Sequence, residues 1–450
     1  MSTNQLQRTL GPLMLWGLGV GYVISGMYFG WNLGLLEGGT YGLALATFFI
    51  IIMYVTFTFS YTEMACAIPK AGGAFEYANR GLGKKLGFFA GMSQNIEFIF
   101  APPAISAAIG AYLNLLYPTI PPLVFAVIAY FIFTLINILG VKLAASFELV
   151  ITILAVIELL IFAGATIPSF EWSNLNMNPL PNGWSGAFAA IPFAIWFFLA
   201  IEGVANVAEE AINPQRNILI GFGSAVGTLV FLCILTFLTA IGVGGWEAVV
   251  YPPGSTEPSD SPLPLALAKV VHEGHFLYKL LIGIGLLGLI ASFHGIILAA
   301  GRTTFEFGRV GYAPTAISKI HQKFKTPTNA LLLNMGIGIL ALFTGKTGEI
   351  ITIACFGALN LYIISMISFF ALRRKEPELE RPFKVPFYPA FPIIALVISV
   401  VALIAMTIYN VRLAIIFYGI IAISYIGYLI TLKRKPSDSY EKSNIPGSGY

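Results

Sequence analysis

Charge is scarce in this chain. Asp, Glu, Lys and Arg supply 10% of its 450 residues, against about 25% in an ordinary soluble domain, and this excludes water as the main solvent. Histidine occurs four times and cysteine three times. Cys66, Cys233 and Cys355 lie far apart, with no C-x-x-C spacing and no histidine cluster beside them, so neither a metal site nor a disulfide framework is implied. There is no H-E-x-x-H, no G-x-S-x-G, no cysteine–histidine pairing and no phosphate loop, which argues against a membrane-embedded enzyme and against any cofactor. A net charge of only +4 is too small for a nucleic-acid footprint.

What fills the chain is apolar: 57% of its residues are hydrophobic. Continuously apolar runs of about 20 residues, the length that crosses a hydrocarbon core, recur from Leu13 to Leu432. They predict an all-α membrane protein of about twelve transmembrane helices, over 13–36, 41–65, 87–116, 121–140, 146–168, 186–209, 218–244, 276–301, 328–345, 348–372, 389–409 and 412–432. A barrel would show alternating segments of about ten residues instead. The segment from Met1 to Gly11 is polar, so no cleaved signal peptide is expected. Residues 1–435 read as one polytopic domain and 436–450 as a disordered tail.

Cation placement gives the orientation. With a cytoplasmic N-terminus, 21 of the 25 Lys and Arg residues face inside and only Lys269, Lys279, Lys346 and Arg412 face outside. Both termini are then cytoplasmic, and a cell (inner) membrane is expected. The longest outside loop, Gly245 to His275, is expected to hold a short surface helix over Ala266–Val271. Trp172, Trp184 and Trp246 fit an outer interfacial belt.

Two spans are irregular. The first carries Gly17, Gly19, Gly21, Gly26, Gly30 and Gly34, and its centre, Val23 to Tyr28, is the expected break. Interrupted helices at the midplane expose backbone groups that bind polar substrates, although glycines at this density also serve close helix packing. In the sixth span, Trp196-Phe197-Phe198-Leu199-Ala200-Ile201-Glu202-Gly203, a carboxylate interrupts an apolar run. An acid at a helix centre costs roughly 2.5–3.5 kcal/mol on insertion scales, so Glu202 is expected to face the bundle interior as a binding group or as a hydrogen-bonded structural acid.

Three further acids lie within the predicted spans. Glu97 sits in the polar cluster Ser93-Gln94-Asn95-Ile96-Glu97, ahead of Pro102-Pro103, where distortion of the helix is expected. Glu148 lies near the cytoplasmic end, where Lys142 is a candidate partner, and Glu158 is deep enough to carry a proton during transport. His294 reads either as a core histidine or as a proton relay. The substrate-binding candidates are Ser25, Gly26, Met27, Tyr28, Glu97, Trp196, Phe197, Ala200 and Glu202; those for proton coupling are Glu158 and His294. Trp196 is placed to cover a bound cation through its ring face.

Several stretches resemble the amino acid/polyamine/organocation superfamily. Ile68-Pro69-Lys70-Ala71-Gly72-Gly73-Ala74-Phe75-Glu76-Tyr77 and Gly87 to Gly91 are similar to its second-to-third-helix pattern, and Glu202-Gly203 through Arg216 to its sixth-helix pattern. Arg302 to Pro314, Arg373 to Pro377 and Arg381 to Pro386 match further downstream. The resemblance implies a 5+5 inverted-repeat (LeuT-like) fold: helices one to five and six to ten are the repeats, helices one and six are discontinuous, and two C-terminal helices follow. The runs Trp16 to Trp31 and Ile191 to Glu202 look like the ethanolamine permease subfamily. Where amino acid carriers of the superfamily hold the substrate carboxylate on a Gly-Ser-Gly-like element, this chain has Ser25-Gly26-Met27, which leaves less room for a carboxylate. At the position of Glu158 several proton-coupled relatives carry a lysine, so the charge is reversed here. The expected activity is import of ethanolamine or a related small amine, with protons as a candidate coupling ion. A small amino acid or polyamine carrier and a membrane substrate sensor are the alternatives.

Overall fold

The structure, a computed structural model, describes residues 9–70, 72–140 and 144–433. Arg8, Ala71, Lys142 and the 436–450 tail lie outside the described residues. Among the described residues helices dominate: α1 (Pro12–Val23), α2 (Ser25–Tyr28), α3 (Trp31–Ala67), α4 (Gly73–Leu82), α5 (Lys84–Leu116) and α6 (Pro122–Leu139) come first. They are followed by α7 (Ala144–Thr166), α8 (Trp172–Leu175), α9 (Gly186–Ala189), α10 (Ile191–Trp196), a 3-10 segment Ile201–Glu210 and α11 (Pro214–Ile241). The remainder are α12 (Trp246–Val250), α13 (Pro262–Ala268), α14 (Phe276–Arg309), α15 (Thr328–Leu342), α16 (Thr347–Lys375), α17 (Ala390–Tyr409) and α18 (Val411–Lys433).

Among the described residues nine of these helices are long and apolar enough to cross a membrane, and α1 and α15 are shorter apolar helices. Helix α3 runs across a non-helical residue, Gly39 (φ 60°), so its first turns complete the first predicted span and the rest forms the second. Only glycine takes that φ without strain, and an added Cβ would lie 2.5 Å from the Pro179 carbonyl oxygen.

Burial separates inner from outer helices. In the most apolar window of α16, 89% of residues are buried inside the protein, against 22% in α18 and 28% in α6. Helix α5 is central, packing on α4, α6, α14, α15 and α16. The outer helices present aliphatic and aromatic surface, as at Ile128, Phe131 and Leu135 of α6 and Ile404, Ile408 and Ile415 of α17 and α18. Such a surface needs lipid or another apolar solvent around it.

Three local expectations change. Helix α5 continues through Pro102 and Pro103 without a break, and the Ser106 hydroxyl donates to the Pro103 carbonyl at 2.9 Å. The outer-loop helix lies over Pro262–Ala268 instead of Ala266–Val271, and it is no surface helix, because Leu263, Ala266 and Leu267 are buried. Trp172 and Trp184 are exposed as expected of an interfacial belt, but Trp246 is buried and its indole donates to the Asn178 carbonyl.

Candidate substrate-binding site

Two interrupted helices cross at the centre of the bundle. Helix α1 stops at Val23, α2 adds one turn, Phe29 is extended, and Gly30 (φ 88°) turns the chain into α3. The full opening therefore lies at Phe29-Gly30, the C-terminal edge of the Val23–Tyr28 stretch in which the sequence places it. On the other chain segment α10 ends at Trp196, residues 197–200 form a turn, and Ala200 takes a left-handed φ of 73° before the 3-10 segment starts. The interruption precedes Glu202, which opens the segment that follows.

The two breaks touch. A Cβ added to Gly26 would lie 2.5 Å from the Trp196 carbonyl oxygen and 3.0 Å from the Phe197 Cα. The Trp196 indole donates to the Phe29 carbonyl at 3.0 Å, and the Trp31 indole donates to the Met27 carbonyl at 3.1 Å. Trp31 stacks on Phe197 with ring centroids 5.8 Å apart. Both readings of the glycines hold, at different positions: Gly30 makes the turn, whereas Gly26 allows backbone to meet backbone. The Ser25 amide donates to the Ser292 hydroxyl, which in turn donates to the Gly21 carbonyl at 2.6 Å, so α14 bridges the first interruption.

Acids gather below this crossing. Glu97 of α5 and Glu202 are both fully buried, and Glu97 reaches the backbone just two residues ahead of Glu202. The amide of Ala200, the left-handed residue, donates to Glu97 Oε1 at 3.2 Å, and the Tyr362 hydroxyl donates to Glu202 Oε2 at 2.9 Å. Tyr362 also meets the Tyr54 hydroxyl at 3.1 Å. Glu97 Oε2 and Glu202 Oε1 have no donor of their own. None of the ion pairs among the described residues involves either acid. Acids buried in a membrane-spanning bundle ordinarily face its interior or a cavity, and interrupted helices expose backbone polar groups beside them.

The general pattern for amino acid permeases matches residues 10–430, nearly the whole chain. The chain belongs to the amino acid permease family. It is thus a multi-pass membrane transporter of small organic substrates. Its relatives differ in what they carry. A methylthioribose transporter of Bacillus subtilis is 28% identical over 418 residues, covering 87% of each chain. A branched-chain amino acid permease of the same organism is 25% identical, again over 87% of each. A low-affinity putrescine importer of Escherichia coli is 25% identical over 86% of this chain and 87% of its own.

The remaining candidates of this permease form two further clusters. Glu158 of α7 is buried beside Tyr28, whose hydroxyl donates to the Ala155 carbonyl at 2.9 Å, and the Tyr112 hydroxyl donates to the Tyr28 carbonyl. A small cavity of about 10 Å³ separates Glu158 from Leu263, Pro264 and Leu267 of α13. Glu148 is buried and faces His294, with its Oε2 3.8 Å from Nδ1, and a Cβ on Gly21 would lie 2.5 Å from Glu148 Oε1. The expected partner Lys142 lies outside the described residues, and the neighbour that the structure gives Glu148 is the histidine.

Sequence reasoning missed Tyr54, Tyr362 and Ser292 as parts of the site. A hydroxyl in an apolar helix carries no positional signal of its own, and these three are defined only by what they face across the bundle.

Proposed function

We propose that this permease is a secondary active transporter that imports ethanolamine or a closely related small amine by alternating access. The observation that carries the reading is the cation-free Glu97–Glu202 pair at the crossing of two interrupted helices. A protonated amine supplies the charge this pair lacks, and its hydroxyl finds backbone groups of the first interruption. Met27, fully buried in the place of a glycine, supports a substrate without a carboxylate. Trp196, Phe197 and Tyr28 close over the bound amine, with Ser25, Gly26 and Ala200 shaping its walls. Glu158 and His294 are the proton-coupling candidates in this reading.

The architecture proposed is twelve crossings in one polytopic domain over 1–435, as two inverted repeats of five plus α17 and α18. Packing supports it, because contacts recur five crossings apart. The α1–α11 contact has its counterpart in α10–α3, α5–α16 in α14–α7, and α5–α6 in α14–α15. Cation placement supports cytoplasmic termini in an inner membrane. Oligomeric state enters no step of this reading.

The second reading, a small amino acid or polyamine carrier, is favoured by the relatives named for branched-chain amino acids and putrescine. Purified protein in liposomes separates the two. Uptake of labelled ethanolamine should be inhibited strongly by unlabelled ethanolamine and weakly by alanine, arginine or putrescine. Stronger inhibition by any of the latter three would move the assignment to that substrate, and binding without flux would identify a sensor. Glu202→Gln should abolish uptake in a protein that still folds; near-normal uptake would remove Glu202 from the site.

A further inference from the structure

Between Glu306 and Glu349 the chain has no acidic residue, and the connection from α14 to α15 carries Lys319, Lys323 and Lys325. All three lysines are exposed, and none takes part in the ion pairs among the described residues. Arginines at the same end of the bundle are matched instead: Arg80 with Glu376, Arg302 with Glu210, Arg309 with Glu306 and Arg373 with Glu63.

This connection is fastened along the rim of the bundle. Near its start the Tyr312 hydroxyl donates to Asn79 Oδ1 at 2.7 Å, and the Tyr312 ring packs on Tyr428 of α18 with centroids 5.2 Å apart. Near its end the Thr326 hydroxyl donates to the Ile138 carbonyl, in the last turn of α6, at 2.7 Å. Between these anchors the chain closes on itself. The His321 amide donates to the Thr326 carbonyl and the Lys325 amide to the His321 carbonyl, both at 2.9 Å, while His321 Nδ1 accepts the Lys323 and Phe324 amides at 3.3 Å. Lys325 is held in this closure at a left-handed φ of 59°. The lysines therefore lie on a formed turn, strung between α18 and α6. Those two helices have the least buried apolar windows of the nine spans among the described residues, 22% and 28%.

We propose that residues 319–325 are a docking surface for the headgroups of anionic phospholipids. Charge and position together choose this occupant. Lysine binds a phosphate as a point charge, and basic segments beside membrane spans attract anionic headgroups. A soluble acidic partner would meet the same three charges, but the ends of lipid-facing helices already lie among headgroups. Ile320, 54% exposed between Lys319 and His321, adds an apolar contact that a lipid can use and a free phosphate cannot. Because the turn is closed beforehand, binding has little backbone left to order. The inference rests on the cytoplasmic placement of this end, proposed above, for the supply of anionic lipid, and on no reading of the transported substrate.

The test is titration of the purified full-length protein in detergent with soluble short-chain phosphatidylglycerol or phosphatidylcholine, followed by native mass spectrometry. Phosphatidylglycerol should bind about tenfold tighter or more, with about fivefold of affinity lost for each lysine removed. The Lys319→Gln/Lys323→Gln/Lys325→Gln variant should then bind the two lipids alike. Equal affinity of the wild type for both lipids, or a preference kept in that variant, would overturn the proposal. Two exposed cations of another segment at this end, Arg374 and Lys384, supply the control. Arg374→Gln/Lys384→Gln should leave the preference intact; a loss as large as that of Lys323→Gln/Lys325→Gln would make the preference a property of overall charge and overturn the site. Displacement of the lipid by glycerol 3-phosphate at equal concentration would assign the surface to a soluble phosphate and overturn the lipid occupant. Binding in detergent is independent of orientation, so an error in the cytoplasmic placement leaves these outcomes unchanged.

Discussion

One methyl group at Gly26 tests whether the two interruptions stay in contact through the cycle. Both atoms it would meet, the Trp196 carbonyl oxygen and the Phe197 Cα, belong to backbone, so no rotamer change relieves the overlap. Overpacking of this kind costs about 1–3 kcal/mol. Gly26→Ala should therefore cut the initial rate of amine uptake by about tenfold or more, while Gly223→Ala, where nothing lies within 4 Å, leaves it unchanged. Equal rates for the two variants in proteoliposomes would show that the crossing is not needed for transport. The residue scale is also where the sequence was hardest to read. Glu97, Glu202 and Trp196 stood out because a polar or large group in an apolar run is conspicuous. What each acid touches did not. Glu148 meets His294 from 146 positions away, and Glu202 meets Tyr362 from 160, pairings that no local pattern carries.

At the scale of elements, one buried carboxylate ties three pieces of chain together at the end of the bundle where α3 finishes. Glu63, in the last turns of α3, accepts from Arg373 of α16 at 2.8 and 2.6 Å, lies 3.3 Å from Arg381, and accepts the Val385 amide at 2.7 Å. Arg381 also donates to the Leu372, Glu376 and Leu379 carbonyls, so the 376–385 connection is held down by guanidinium forks. Glu63 has 2% and Arg381 9% of its side chain exposed, so losing the acid strands positive charge inside the protein. Breaking a buried pair from one side costs about 3–5 kcal/mol. Glu63→Gln should lower the melting temperature in detergent by several degrees, and Arg373→Gln by less, since Arg381 keeps its partner. A melting temperature unchanged in Glu63→Gln would mean that this cluster is solvated in the working protein. Elements were far more legible than their partners. Apolar length placed every long helix, because lipid demands about 20 residues whatever the neighbours are. Helix α4 escaped because it is a short amphipathic helix between spans, with Glu76 in its first turn and Arg80 in its last. Helix α5 runs through Pro102 and Pro103 with helical backbone while packed against its neighbours.

Across the whole molecule, acidic side chains collect around two cavities near the first interruption. At the end proposed to face outward, a cavity of about 440 Å³ is lined by Glu37, Glu257, Asp260 and Glu349, and its Lys346 is neutralised by Glu349 at 2.8 Å. A second cavity of about 520 Å³ shares Glu257, Asp260 and Lys346 with it. The side-chain amide of Asn32, two residues past Gly30, donates to the Ser259 carbonyl, so this acidic loop is fastened to the first interruption. Clefts lined by one sign of charge concentrate counter-ions and speed their entry. Burial pushes the Asp260 carboxyl up to about 6, against the opposing hydrogen bond from Thr347. A carboxyl so raised is charged above that pH and neutral below it, and folding favours its protonated form. Two results follow with fixed sign. As external pH falls through about 6, the outer cavity loses one negative charge and the KM for amine should rise severalfold; Asp260→Asn should show the higher KM at every pH, without that inflection. The same substitution should raise thermal stability at neutral pH and leave it nearly unchanged at acid pH, where wild-type Asp260 is already neutral. A KM inflection near pH 6 that persists in Asp260→Asn would remove Asp260 from the entrance effect.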